Sequence, residues 1–294
     1  MPDKSTLTCI GSLLVDDIAK PLQILHAGAS NPVQWTQGVG GVAANAARAA
    51  AVHEKTNLIS AAGNDIPALL CHDSLSRVNC QWIKREKPFD RYTAVLTEKG
   101  DLFVGLASTE LAESLCLSDI QAHLTEPASV YAIDANLNSQ CLSELVEFIT
   151  SRHPDAIVAA LPISPEKALK WQPCAEQVDV LFCNRREAAA LTDRYAMLPS
   201  DELATALMSM GFANVVLTDA DKPIKVAQQG QLTNVAVPSV SLTGNVNGAG
   251  DALAGATLAH FIKTNDLLSS VYVAGLAAAR CVLTDSPITY PAAS

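Results

Sequence analysis

The stretch NVNGAGDALAGA, Asn245 to Ala256, puts glycine, alanine and a single acid where a helix begins. Gly248 and Gly250 let the backbone turn tightly and come close to a ligand. A helix starting there turns its first N–H groups outward, unpaired, and so makes a place for an anion. Asp251 falls in the first turn, where the helix dipole tolerates negative charge. Two readings of it stand. It is either a helix-start acid after an ordinary turn, or a carboxylate beside an anion hole. The second pairing is what phosphoryl transfer needs, a base for the attacking hydroxyl and donors for the phosphate.

Outward from this stretch the chain alternates strand and helix patterns. LTCIGSLLVDDI reads as a strand, GGVAANAARAAAVH as an alanine-rich helix and TNLISAAG as a strand. YTAVLTEKGDLFVGLAS has β-formers on both sides of a Lys99-Gly100-Asp101 turn and reads as a hairpin. SVYAIDAN, AIVAALP, VDVLFCN and NVVLTDA read as strands, separated by helical patterns at SQCLSELVEFITSRH, RREAAALT and DELATALMSMGF. A hairpin-like IKVAQQGQLTNVAV follows, then two small-residue helices from Gly250 and Leu268. Such alternation predicts an α/β fold with a mainly parallel sheet covered on both faces, in one domain with a small β excursion.

Composition narrows the function classes. With 294 residues, 49% hydrophobic and 17% charged, the chain can bury a substantial core and shows no membrane-length apolar run. The net charge of −10, without a Lys/Arg stripe, argues against nucleic acid or an anionic membrane as partner. A small anionic ligand stays open, because backbone N–H groups hold phosphate without net positive charge. The N-terminal stretch lacks an export pattern and the eight cysteines show no CxxC pair, so a reduced, cytoplasmic protein is expected. The six histidines show no pairing at metal-binding spacing.

A second glycine cluster, GVGGVAAN from Gly38 to Asn45, also runs into a helix. Its GxGxxA spacing fits a dinucleotide fingerprint superficially. However, NPVQWTQ before it is a poor buried strand and no acid follows about twenty residues on. The better reading has Gly40 and Gly41 bringing the backbone against a small polar ligand that Asn45 faces.

With both clusters the chain resembles the ribokinase-like (PfkB-type) carbohydrate kinases over nearly its whole length. The family's GGxxxN element matches Gly40, Gly41 and Asn45, and its GAGD signature matches Gly248, Ala249, Gly250 and Asp251. Asn184 and Glu187 supply an NxxE element, and Asp16 in GSLLVD supplies the early acid. Within the family the likeness is greatest to the pseudouridine kinases, through SNP (Ser30 to Pro32), GGVAAN, YTAVLTEKGDL, DAN (Asp134 to Asn136), LPIS (Leu161 to Ser164) and NVNGAGD. Three departures stand out. Asn247 replaces the usual Thr, Leu161 replaces an acid, and LTDADK (Leu217 to Lys222) replaces a glycine-rich segment.

The resemblance implies a ribokinase-like three-layer αβα sandwich spanning residues 1–294, with β-lid segments around 12–38 and 89–107. It implies ATP-dependent phosphorylation of the 5′-hydroxyl of pseudouridine, with Asp251 as base and Gly248, Ala249 and Gly250 cradling the transferring phosphate. Asp16, Gly40, Gly41, Asn45, Tyr92, Asp134 and Asn136 would meet the acceptor, and Asn184, Thr218 and Asn247 the nucleotide. Glu187 and Asn184 would hold Mg²⁺ through water, K⁺ is a further candidate ion, and the lid is a candidate homodimer contact. A polar partner for the ring N–H peculiar to pseudouridine is expected around Tyr92 to Thr97, near Asp134 and Asn136. Several plainer readings stay open. Asn184 and Glu187 also fit a helix cap, Asp16 and Asp17 a solvated strand end, Tyr92 and Trp35 apolar packing, and Lys222 a loop lysine. Other functions also remain, namely a kinase of another nucleoside or sugar and a non-catalytic ligand-binding relative.

Overall fold

The computed structural model describes residues 6–64, 75–100, 102–194, 197–236 and 248–282. Seven strands lie parallel in the main sheet: β1 (Leu7–Ile10), β4 (Thr56–Ala62), β5 (Asn79–Lys84), β8 (Val130–Asp134), β9 (Ile157–Leu161), β10 (Val180–Asn184) and β11 (Asn214–Thr218). The antiparallel hairpin of β12 (Ile224–Gln228) and β13 (Gln231–Val235) extends it, giving the order β13-β12-β11-β10-β9-β8-β1-β4-β5. The inner strands read LTCI, VYAID and IVAAL because both faces are buried, which favours near-continuous apolar runs over alternation.

Two groups of helices cover the sheet. In one, α1 (Val42–Ala50) packs against α8 (Ala249–Thr264), which packs against α9 (Leu267–Val282). The other holds α4 (Ser139–Arg152), the short α5 (Pro165–Ala168), a 3₁₀ stretch over Leu169–Gln177, α6 (Arg185–Leu191) and α7 (Ser200–Ser209). Two one-turn helices, α2 (Glu110–Glu113) and α3 (Leu117–Gln121), lie between the strands. This is the expected mainly parallel αβα arrangement. The alanines of α1 and the small residues of α8 make a close crossing. A Cβ on Gly255 would collide with the Ala46 carbonyl oxygen.

A second sheet stands apart, in the order β3-β2-β6-β7, built from β2 (Leu14–Pro21), β3 (Val33–Gly40), β6 (Arg91–Leu96) and β7 (Leu102–Ser108). The stretch LTCIGSLLVDDI is therefore two strands, not one. The chain turns at Ser12, whose N–H donates to Asp134 2.8 Å away, and then leaves the main sheet as β2. The YTAVLTEKGDLFVGLAS hairpin forms as β6 and β7. Every residue of β7 is exposed, including Leu102, Phe103, Val104 and Leu106, and the strand is an edge. Strand β5 was not expected, because its half-buried NCQWIK carries neither an apolar run nor a clean alternation.

Chain order along the main sheet reverses at β1, with β4 to one side and β8 to the other. Open α/β sheets bind ligands at the strand carboxyl ends beside such a reversal. Among the described residues no helix is long and apolar enough to cross a membrane.

Candidate active site

A cavity of about 570 Å³ opens at those carboxyl ends. Its walls include Asp16, Gly41, Asn45 and Tyr92 on the small-sheet side and Asn184, Glu187, Thr218, Gly248, Gly250 and Asp251 on the other. The two glycine clusters of the sequence thus meet across one space, with the Asn45 amide donating to Asp251 Oδ2 at 3.0 Å.

The two helix starts do different jobs. At α1, Gly41 takes φ 100° and touches the backbone of Ser12 so closely that no side chain would fit. The N–H groups beyond it are spent internally: Val42 donates to Ser12 Oγ, Ala43 to Asp134 and Ala44 to the Ser12 carbonyl. At α8 the first intrahelical bond runs from Ala252 N–H to the Gly248 carbonyl. The N–H groups of Ala249, Gly250 and Asp251 have no acceptor among the described residues. Of the two starts, the second is the one whose N–H groups stay unpaired among the described residues, which suits an anion.

Three carboxyls share the cavity, and each is pushed up. Desolvation raises Asp16 to about 7, reinforced by the Asp251 charge and opposed by the Arg48 guanidinium. Burial raises Glu187 to about 7, against the hydrogen bond from the Asn184 N–H, and the Asp251 charge adds to the rise. Desolvation raises Asp251 to about 6, moderated by the Asn45 amide. Asp16 and Asp17 alternate along β2, so only the first meets the cavity. Asp17 instead accepts from Gln37 at 2.7 Å and pairs with Arg91 at 3.4 Å within the small sheet.

Asn184 and Glu187 turn out to be a helix cap and cavity wall at once. Asn184 Oδ1 accepts from the N–H groups of Arg186 and Glu187, and Glu187 Oε2 accepts from the Asn184 N–H at 2.9 Å. That occupies the Asn184 oxygen, whereas Glu187 Oε1 accepts no hydrogen bond among the described residues. Glu187 lines the same cavity as Asp251 with one carboxylate oxygen unbonded among the described residues, a ligand that suits a divalent ion held through water. Lys222 lies 2.9 Å from Asp219 and stays 58% exposed, outside the cavity wall.

Other expected residues sit elsewhere. Asp134 is fully buried and does not reach the cavity. Its carboxylate is spent on Ser12, Ala43 and Asn136, tying β8 to β1 and to the start of α1. Gly40 is absent from the cavity wall, and a Cβ there would collide with the Asp16 carboxylate. Trp35 is 54% exposed on the small sheet. Asn247 lies outside the described residues.

Sequence reasoning missed Thr109, Ile163 and Lys167, all in the cavity wall. Ile163 adopts φ 76° while the Ser164 N–H bonds to the Pro162 carbonyl at 2.9 Å, a γ-turn that costs a β-branched residue about 1–3 kcal/mol. Ser164 then caps α5, accepting from the Lys167 N–H at 3.3 Å. The signal was the PIS-PEK run, Pro162 to Lys167, a turn followed by a capped helix start.

A family model described as pfkB family carbohydrate kinase matches residues 4–293. The chain belongs to this family. Consistent with that PfkB membership, a carbohydrate kinase from Agrobacterium tumefaciens superposes with TM-score 0.80 at 24% identity, covering 95% of this chain and 91% of its own. A ribokinase from Arabidopsis thaliana, complexed with ribose and ATP, gives TM-score 0.79 at 16% identity over 96% and 94% of the two chains. These likenesses establish the ribokinase-type fold of this PfkB chain. In sequence it is 29% identical over 172 residues to a pseudouridine-metabolizing bifunctional protein of Schizosaccharomyces pombe. That match covers 56% of this chain and spans 22% of the relative's length.

Proposed function

We propose that this PfkB chain is a phosphotransferase that moves the γ-phosphoryl group of ATP to the 5′-hydroxyl of pseudouridine. The open N–H groups at the start of α8, beside the Asp251 carboxylate, carry the proposal. One helix turn there offers both a base and an oxyanion cradle, and a preorganised donor of this kind is worth about 3 kcal/mol at a transition state. The pseudouridine-metabolizing relative supports the choice of acceptor.

In this reading the acceptor's ribose lies between Asp16, Gly41 and Asn45, and Asn45 Oδ1, buried without a partner, accepts a hydrogen bond from one of its hydroxyls. Asp251 Oδ2 is fixed by Asn45, so Oδ1 accepts the proton of the 5′-hydroxyl while the 5′-oxygen attacks the γ-phosphorus and ADP leaves. The N–H groups of Ala249, Gly250 and Asp251 hold the phosphoryl oxygens. Asn184 and Thr218, at the ends of neighbouring β10 and β11, border the nucleotide, with Asn247 preceding the cradle. Glu187 would hold Mg²⁺ through water, and the ion would supply countercharge for the nucleotide phosphates. The small sheet acts as a lid over the acceptor, and its exposed β7 edge joins two copies into a homodimer. A cytoplasmic setting and a K⁺ requirement complete the proposal.

The test is a phosphate-transfer assay with ATP and Mg²⁺, with and without KCl, over pseudouridine, uridine, adenosine, ribose and fructose. The expected result is pseudouridine first in kcat/KM. A plain sugar in first place keeps the kinase and discards the acceptor. Ligand binding without transfer to any acceptor leaves a non-catalytic relative.

A further inference from the structure

Thr109, Asn136 and Lys167 meet on a part of the cavity wall that the transfer chemistry does not use. An ammonium group has three N–H donors. Lys167 gives one to Asn136 Oδ1 and one to Thr109 Oγ1 at 3.1 Å, and Glu113 Oε1 lies 3.6 Å away, within ion-pair range but too far to bond. Thr109 in turn donates to Glu113 Oε1 at 3.3 Å. With its oxygen taken, Asn136 is left with amide N–H groups that meet no acceptor among the described residues. What this wall offers a ligand is therefore hydrogen-bond donors.

The pair is held rigidly. Asn136 N–H bonds to Asp134 Oδ1 at 2.9 Å, and Lys170 clamps the carbonyls of Ala135 and Leu137 on either side, at 2.9 and 2.7 Å. Lys167 is set in place by the strained Ile163 turn and the Ser164 cap. Fixed donors of this kind are what discriminating sites use. Phosphate is a poor occupant, because the Glu113 carboxylate already sits against the ammonium. The wall also belongs to the acceptor side. Asn136 follows β8, next to β1, and Thr109 follows β7 of the small sheet, whereas Asn184 and Thr218 end β10 and β11.

We propose that Lys167 and the Asn136 amide are specificity-determining groups that bind ring carbonyl oxygens of the acceptor, selecting a ribose that carries an oxo-substituted ring. The inference rests on reading the cavity as the acceptor site of a nucleoside kinase. Asn136 enters here as a donor through its amide N–H groups, its oxygen already accepting from Lys167. Uridine and pseudouridine share the carbonyls, so this pair does not separate them.

The experiment compares the native protein with Lys167→Met, using calorimetric binding and kcat/KM for pseudouridine, uridine and a phenyl C-riboside that has no ring carbonyl. The native protein should favour pseudouridine over the phenyl riboside. Lys167→Met should lose about 10- to 100-fold on pseudouridine and uridine, the range for one hydrogen bond to a charged group, and nothing on the phenyl riboside. Equal loss on all three ligands marks a structural lysine and overturns the proposal, as does unchanged affinity for pseudouridine or no native preference for it. If Lys167→Met melts much lower than native, Lys167→Gln is read by the same criteria. If the binding pattern holds but no ligand accepts phosphate, the kinase reading falls and the role of Lys167 stands.

Discussion

Asp251 carries the chemistry proposed here, and its surroundings set the pH at which it can act. Asp251→Asn keeps the shape and removes the base, so kcat should fall by about 10² to 10⁴ with acceptor affinity retained, as steady-state kinetics and calorimetry would show. Desolvation places the Asp251 pKa at about 6, and only the ionised form accepts a proton. The kcat/KM of the native protein should therefore fall as pH drops through about 6. The Asn45 amide favours the ionised form, so Asn45→Ala should move that acid limb to higher pH. Glu187 gives a stability prediction of opposite character. Its folded pKa of about 7 lies above its usual value of 4.5, so the folded state binds more protons between them and loses stability as pH rises through that window. Glu187→Gln keeps a capping side chain without the charge. Its melting temperature relative to native should rise between pH 4.5 and 7 and level off above, while its Mg²⁺ requirement increases. Asp16, Asn45 and Asp251 were legible in the sequence because their motifs hold them at fixed spacing from glycines. Asp134 was misplaced, since an acid ending a strand looks the same whether it faces a ligand or, as here, its own backbone donors. Lys167 was missed because PEKA by itself reads as an ordinary helix surface, and the turn in Pro162 to Ser164 before it was the one mark of the segment.

At the scale of elements, GGVAAN and GAGD both announce a glycine-led helix, and nothing in their spacing says which start is open. That depends on Ser12 and Asp134, far away in the chain, which consume the N–H groups of α1, whereas those of α8 meet no acceptor among the described residues. The alternation of strands and helices was readable from hydrophobic pattern, whereas the break after Ile10 was not, because it is made by the bond from Ser12 to Asp134. The small residues following Asp251 have their own reason. Gly255 lets α8 lie against the backbone of α1 at Ala46, and this crossing sets the distance between Asn45 and Asp251. Gly255→Val should force the helices apart, lowering stability by about 1–3 kcal/mol in urea unfolding. It should also lower kcat more than a surface change of equal destabilisation. A stability loss with native kcat would detach the crossing from the chemistry.

On the scale of the whole molecule, the main sheet supplies a floor to the cavity and the small sheet a wall. That wall ends in β7, whose apolar side chains are exposed and whose outer edge pairs with no strand among the described residues. The same strand contributes Ala107 to the cavity and leads directly into Thr109. Whatever covers the outer edge therefore also steadies the inner wall. If a second copy is the cover, assembly and turnover are linked by mass action. Rate per molecule would then depend on how much protein is in the cuvette. Progress curves started by diluting a concentrated stock should bend downward with a lag set by dissociation, and stocks already equilibrated at low concentration should begin slow.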